Sequence, residues 1–478
     1  MITVRINKIK MFFSSNAYKS FLLFLALVIL CSCSIFKSEG QSLLAQSLPL
    51  TNVKALESYR DYIKKNLPFK NIQWEAIFKG EKIRKLSRLG DYVYVETDAN
   101  KMHSIYTTTG FKQWQIQLPG PVDYFIATVE DLPKKESELK KLIGNLENDI
   151  AQENKSKNRD EERLQLLRRQ FSAYREEFIS LRLKDVIYLT CKGAIYCIDR
   201  ASGNILWQNR LAFVPSTTPC ASIASIFIGS MDYYRVWQID ANLKYEQKFF
   251  KAQEPVSTTP IYDNLNIYFA SMDGKVYAYD AIQNKLLWSY QTEKSIKTDM
   301  ILDEGILYVG SNDYAVYALD RYAGILLWKF ETGGSITSKM LFDKAVEGNS
   351  SLYVNSSGNG LYAIDLVSIK TLIKDPDNPE NDRERVTTKG IARWQFKQGK
   401  SFLMKSPIYA YVIGNDNNTL YTLLNNKPAT MQNSNNAIPS PDIIEKYDLS
   451  LFPVRYGDME EKTVYLGTSD GYLLSIKE

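Results

Sequence analysis

Histidine is almost absent: one residue, His103, in a chain of 478. An imidazole-rich zinc site or a Ser-His-Asp triad would have to use that residue alone, which narrows the hydrolytic chemistry open to the chain. Cysteine is scarce as well. Five are present; Cys31 and Cys33 lie near the start, leaving Cys191, Cys197 and Cys220 in the body. Their spacing contains no CxxC zinc pair and no CxxCH haem site. Three small buried apolar residues is the first reading of them, and a Cys197–Cys220 bridge is a second. No GxGxxG or P-loop phosphate cradle occurs.

Long apolar runs are also missing. The longest, FLLFLALVIL (Phe21 to Leu30), is too short to span a bilayer comfortably but suits the core of a secretion signal. Arg5, Lys8, Lys10 and Lys19 precede it. LCSC (Leu30 to Cys33) follows and resembles the lipobox of bacterial lipoproteins, with Ser32 before Cys33. That resemblance implies cleavage after residue 32 and lipidation of Cys33. An ordinary cleaved signal or an uncleaved anchor are the alternatives. Removing residues 1–32 takes Lys+Arg from 59 to 55 against 54 Asp+Glu, so a formal charge of +5 falls to about +1. Little global field then remains to attract nucleic acid.

What the chain does have is tyrosine, 31 residues that favour strands, and a repeat. VYALDRYAGILLWKFETGG (Val316 to Gly334) restates VYAYDAIQNKLLWSYQTEK (Val276 to Lys294). Asp280 and Asp320, Trp288 and Trp328, and Tyr268 and Tyr308 each stand forty apart. One unit reads as four strands: Ile296 to Leu302, Ile306 to Ser311, Ala315 to Asp320 and Ile325 to Glu331. Hairpin dipeptides such as Lys192-Gly193, Asp273-Gly274 and Asp470-Gly471 join the second strand to the third. Counting the second strand gives eight units. The last unit stops after its third strand, while IQWEAIF (Ile72 to Phe78) carries a tryptophan at fourth-strand spacing. The expectation is an all-β, eight-bladed propeller of four-stranded blades, closed by its N-terminal strand.

The recurring phrase is Ala-x-Asp-x-x-x-Gly-x-x-x-Trp. It appears as Ala318, Asp320, Gly324, Trp328; as Ala278, Asp280, Asn284, Trp288; and as Cys197, Asp199, Gly203, Trp207. Ala363 with Asp365 and Gly110 with Trp114 are partial copies. Six tryptophans (Trp74, Trp114, Trp207, Trp288, Trp328, Trp394) fall on the fourth-strand position. The pattern resembles the tryptophan-docking repeat of the PQQ-like (pyrroloquinoline-quinone-type) β-propellers. The resemblance implies that each Trp packs between blades, that Gly allows a left-handed turn, and that each Asp accepts hydrogen bonds from its own turn.

Two branches of that family point different ways. Its quinoprotein dehydrogenases hold a quinone beneath vicinal cysteines, with a calcium site and a catalytic Asp; none of these sets is found in the mature sequence. Its BamB-like outer-membrane assembly lipoproteins need only signal, lipid site, tether and blades. The reading is therefore a non-enzymatic, monomeric scaffold with no catalytic, cofactor or metal site. It would be exported, lipid-anchored at the periplasmic face of the outer membrane or another envelope surface, and would bind an envelope protein, the β-barrel assembly machinery being the candidate. A quinoprotein or a ligand- or polymer-sensing propeller are the rivals.

The layout is a signal (1–32), a tether and helix (33–69), the propeller (70–129 and 185–478) and an insertion (130–184). Thr51 is placed as the cap of the short helix, whose stripe of Val53, Leu56, Ile63 and Leu67 either packs on the propeller or meets a partner. In the insertion, Leu164, Leu167, Phe171, Tyr174, Phe178 and Leu181 step as a heptad seam, and Leu139, Ile143, Leu146 and Ile150 make a matching stripe. An antiparallel helical hairpin follows, its seams burying each other or serving as a partner arm. Ile369–Gly390 and Asn425–Ile443 read as flexible loops. All three insertions leave by the same face.

Overall fold

Strands apolar on both faces need cover on both sides, and stacking blades side by side supplies it. The computed structural model describes residues 50–124, 127–129, 132–155, 161–182, 184–263, 265–345, 348–373, 383–425 and 438–478. The lipidation candidate Cys33 and its signal lie outside them. The chain divides into two units, residues 1–66 and 67–478. In the first, α1 (Leu50–Asn66) is described. It begins at Leu50, so Thr51 stands within its first turn rather than at its cap; its end two residues before Pro68 fits the expected stop.

The second unit is an eight-bladed propeller. Among the described residues thirty-two strands form eight four-stranded antiparallel sheets. Seven blades follow chain order. In the eighth, β1 (Asn71–Ile77) pairs with β32 (Tyr472–Lys477), Asn71 opposite Lys477 and Ile77 opposite Tyr472. The first strand thus supplies what the last unit lacks, as the spacing predicts.

Blade 5 shows why the pattern folds this way. Its strands are β18 (Ile301–Asp303), β19 (Ile306–Gly310), β20 (Ala315–Asp320) and β21 (Leu326–Glu331). Leu307, Val309, Val316 and Leu319 are fully buried, on both faces of the sheet. Each such side chain contributes about 1.5–3 kcal/mol of transfer free energy. The innermost strand is shorter than the expected Ile296–Leu302. Its first half bonds across to neighbouring blades instead: Thr298 Oγ1 donates to the Ser338 carbonyl at 2.9 Å, and Asp299 Oδ1 accepts from Thr259 N–H at 2.7 Å. The same link recurs forty residues apart from Ser216 Oγ to the Val256 carbonyl at 2.6 Å.

The insertion in blade 2 is a pair of helices, α2 (Leu132–Lys155) and α3 (Glu161–Arg182), between β6 (Ala127–Thr128) and β7 (Val186–Cys191). All ten seam positions are buried or half-buried. Lys135 reaches Glu177 at 3.3 Å across the helices. The blade 6 insertion differs from the expected flexible loop. Its arms continue the third and fourth strands as β24 (Gly360–Ile373) and β25 (Arg383–Phe396), with register kept from Leu366↔Gly390 to Ile373↔Arg383. The alternating, β-branched runs VSIKTLI and RVTT suit such a ladder. Of the Asn425–Ile443 loop, residues 426–437 lie outside the described set.

Candidate functional site

The repeated residues converge at the junctions between blades. The small residue of the third strand lies directly opposite the Trp of the fourth: Ala318↔Trp328, Ala278↔Trp288, Cys197↔Trp207 and Ala363↔Trp394. Each Trp also meets an aromatic ring of its own blade's second strand. Tyr94–Trp114, Tyr188–Trp207, Tyr268–Trp288, Tyr308–Trp328, Tyr353–Trp394 and Tyr465–Trp74 have centroids 5.8 to 6.2 Å apart. Sequence reasoning saw the Tyr spacing but not this pairing.

The Trp then reaches into the next blade. Trp74, Trp114 and Trp288 donate Nε1–H to the carbonyls of Thr107, Arg200 and Arg321 at 2.6, 2.8 and 2.9 Å. Their rings lie where a Cβ would stand on Gly110, Gly203 and Gly324, at 2.6, 2.5 and 2.4 Å. These glycines have φ of 70°, 75° and 66°. Glycine is therefore required twice over, by the left-handed backbone and by the ring laid on it. In three turns the Asp carboxylate accepts from the following N–H groups, Asp199 from Ser202, Asp280 from Ile282 and Gln283, Asp320 from Tyr322 and Ala323, at 2.7 to 2.9 Å. Asp240, absent from the sequence reading, does the same for Asn242 and Leu243.

The exceptions are consistent. Blade 3 has Lys248 at the Trp position, and its ammonium donates to the Ile282 carbonyl at 2.9 Å beside Asn284 rather than glycine. Its own tryptophan, Trp237, stands on the third strand and stacks on Phe213 at 5.3 Å. Asp365 caps no turn, because β24 and β25 run on past it. Buried to 2 %, it is ion-paired with Arg393 and accepts from Ser351 Oγ at 2.9 Å. Trp328 meets Gly390 instead of a turn, and its buried Nε1 has no hydrogen-bond partner among the described residues.

Two features carry polar chemistry. His103, 1 % exposed, lies 3.0 Å from Glu81, which also accepts from Lys101 and Thr97 at 2.6 and 2.8 Å. Burial acts to raise the Glu81 carboxyl, but these donors outweigh it and bring it down to about 2. Burial holds His103 below its ordinary value, against the pull of Glu81. The second feature is a cleft of about 640 Å³ on the short-turn face, lined by Asp123, Lys192, Arg210, Phe213 and Asp232 among others. Cys191, Cys197 and Cys220 are buried and form no disulfide among the described residues, so the Cys197–Cys220 bridge is not made. Among the described residues no group of three His, Cys, Asp or Glu could hold a metal ion.

The opposite face is apolar where it should be polar. Ile205 and Leu206, Leu243 and Tyr245, Ile282, Leu286 and Leu287, and Tyr322, Ile325 and Leu326 are all exposed, Ile282 to 68 % and Tyr322 to 67 %. They sit on the outer strands and turns of blades 2 to 5. Asn209 to the Lys244 carbonyl, Lys248 to Ile282 and Trp288 to Arg321 link these turns into one arc. Contiguous exposed apolar surface of this kind marks a place of contact. The helical hairpin of blade 2 and the long β-hairpin of blade 6 leave by the same face.

Residues 192–372, from the third strand of blade 2 to that of blade 6, match the family model described as outer membrane protein assembly factor BamB. None of the curated proteins matches the chain. Among solved structures, BamB from Moraxella catarrhalis is similar with a TM-score of 0.53 and 11% identity, over 85% of this chain and 98% of that one. The computationally designed protein Ika8 is similar with a TM-score of 0.51 and 10% identity, over 85% and 100%. At such identities the likeness is one of fold, shared by an assembly factor and a designed protein alike. Residues 192–372 thus match that family's model, and the fold they share with the rest of the second unit is an eight-bladed β-propeller.

Proposed function

We propose that the protein is a non-enzymatic, lipid-anchored scaffold of the cell envelope that presents its apolar arc and hairpins to a partner in outer-membrane protein assembly. The observation that carries this reading is the match of residues 192–372 to the BamB family model. It falls on the blades that bear the exposed arc. Residues 1–32 act as the export signal and Cys33 takes the lipid. One lipid cluster plus protein contact is the two-signal logic of stable anchoring. Residues 33–69 form the tether and helix. The six docking tryptophans, with Asp199, Asp280 and Asp320 at the turns and Asp365 in its ion pair, serve to hold blades rather than to react. The chain works as a monomer without a cofactor.

The test is crosslinking in intact cells, followed by membrane solubilisation and purification through a C-terminal tag. Recovery of the β-barrel assembly protein supports the role. Its loss on deleting residues 130–184 makes the helical hairpin the contact; its retention moves the contact to the propeller. Recovery of no assembly component removes the role and leaves the fold. Cys33→Ala is expected to shift the chain from the membrane to the soluble fraction.

The cleft favours one second reading, a ligand-binding propeller. Lys192, Arg210, Asp123 and Asp232 line it together, two charges of each sign. A saturable thermal shift with an envelope carbohydrate or peptide, abolished by Arg210→Ala, supports that reading; no shift removes it.

A further inference from the structure

The outermost strand of a blade has an edge whose outward N–H and C=O groups can receive another chain. One edge is already taken. The Gln395 N–H, on the outer side of β25, donates to the Pro439 carbonyl at 2.9 Å. The same segment packs Ile438 onto the cluster between blades 5 and 6 that contains Trp328 and Leu327. Its far end is held where the Asp442 carbonyl accepts from Leu424 N–H at 2.9 Å. Residues 438–442 therefore show how an extended piece docks here: one main-chain bond to the edge, one branched apolar side chain into the groove between blades.

The groove between blades 4 and 5 has the same construction and, among the described residues, no such cover. Forty residues back, Leu287 and Trp288 of β17 (Lys285–Gln291) replace Leu327 and Trp328. Lys329, which follows its blade's Trp directly, replaces Gln395. Beneath the segment, Leu327 is half-buried and Trp328 buried; in the open groove Leu287 is exposed to 46 % and Trp288 is half-buried. Outside the β20–β21 ladder the Lys329 N–H has no backbone partner among the described residues. The charges around the groove are largely answered: Asp280 and Asp320 by their turns, Arg321 by Asp263 at 3.5 Å, Lys329 by Glu293 at 3.0 Å. A charged segment would bring unmatched charge onto an apolar surface, so the complement is uncharged.

We propose that the groove between blades 4 and 5 takes an extended, uncharged segment of a partner protein bearing a branched apolar side chain. The segment adds to the edge of β21 as residues 438–442 add to β25. This rests on the scaffold reading and names the chemistry of the partner at that surface.

The probe is a synthetic peptide with the sequence of residues 435–441 (NNAIPSP), blocked at both ends, titrated against the full mature chain by fluorescence anisotropy. Saturable binding is expected, weakened about tenfold or more by Leu287→Asp or by Asp in place of Ile in the peptide. Lys329→Pro removes the outward N–H at an edge that tolerates proline and should weaken binding likewise, whereas Lys329→Ala should not. Thermal melting of each variant confirms the fold. Absence of saturable binding, or binding untouched by Leu287→Asp, overturns the inference. Either result with partner co-purification intact leaves the scaffold reading standing; peptide binding without any assembly partner removes that reading and keeps the groove.

Discussion

At Gly324 two demands meet in one residue, a φ of 66° and the Trp288 ring 2.4 Å from where a Cβ would be. Gly193 has a similar φ of 70° and open space around it. Gly193→Ala should therefore cost only the left-handed penalty, about 1–2 kcal/mol. Gly324→Ala should cost clearly more, because the ring must move, and chemical denaturation of the two variants measures the difference. Equal losses would mean that the ring contact is soft. His103 sets a second expectation. Its folded pKa lies below its ordinary 6.5, mainly through burial, so the native state resists the proton. Stability should be full above that pH and decline as the pH falls below it. Glu81, brought from 4.5 to about 2, adds a second decline between those values. His103→Gln keeps a donor for Glu81 and should remove the first decline but not the second. Urea midpoints from pH 8 to pH 3 test this; an unchanged slope below pH 6.5 in the variant would refute it.

At the scale of elements, legibility followed how local the cause was. The fourth strand with its Trp, the second-to-third hairpins and the helical seams were readable because periodicity and turn chemistry sit within a few residues. The Trp–Tyr pairs and the Trp-on-Gly contacts were half readable: spacing showed that these residues recur, not that they touch. The blade 6 arms are not legible as strands because the charged, turn-forming DPDNPENDRE reads as a loop, while the β-branched runs on either side of it find their partners only in each other. Arg393 could not be foreseen as the partner of Asp365, since they meet only once those runs pair. The blade 3–4 junction shows the repeat degenerating in concert, Lys248 and Asn284 changing together. The helical hairpin buries its seams between its own helices. Replacing residues 130–184 with a short turn should therefore leave the propeller's unfolding midpoint within about 1 kcal/mol of the parent. A larger loss, by thermal or urea unfolding, would show that the hairpin braces the blades.

For the whole molecule, the strands specify a ring, and the repeat and its departures together specify what it meets. The two hairpins lie where the repeat is relaxed, while the docking residues, the apolar arc and the groove between blades 4 and 5 lie where it is strict. Deleting β1 should open the eighth blade and expose the edge of β32, giving loss of cooperative unfolding or self-association by light scattering. A monomeric, cooperatively melting product would mean that closure is dispensable. The same closure sets the order of events in biosynthesis. Asn71 and Lys477 are neighbours in the fold and about four hundred residues apart in the chain, the longest loop closed by strand pairing among the described residues. The closing strand is synthesised early and must wait, unpaired, until the last residues follow it. Chaperones that guard the unfinished chain thus have one strand in particular to shield, and a nascent protein cut short by a few residues is a ring that never shuts.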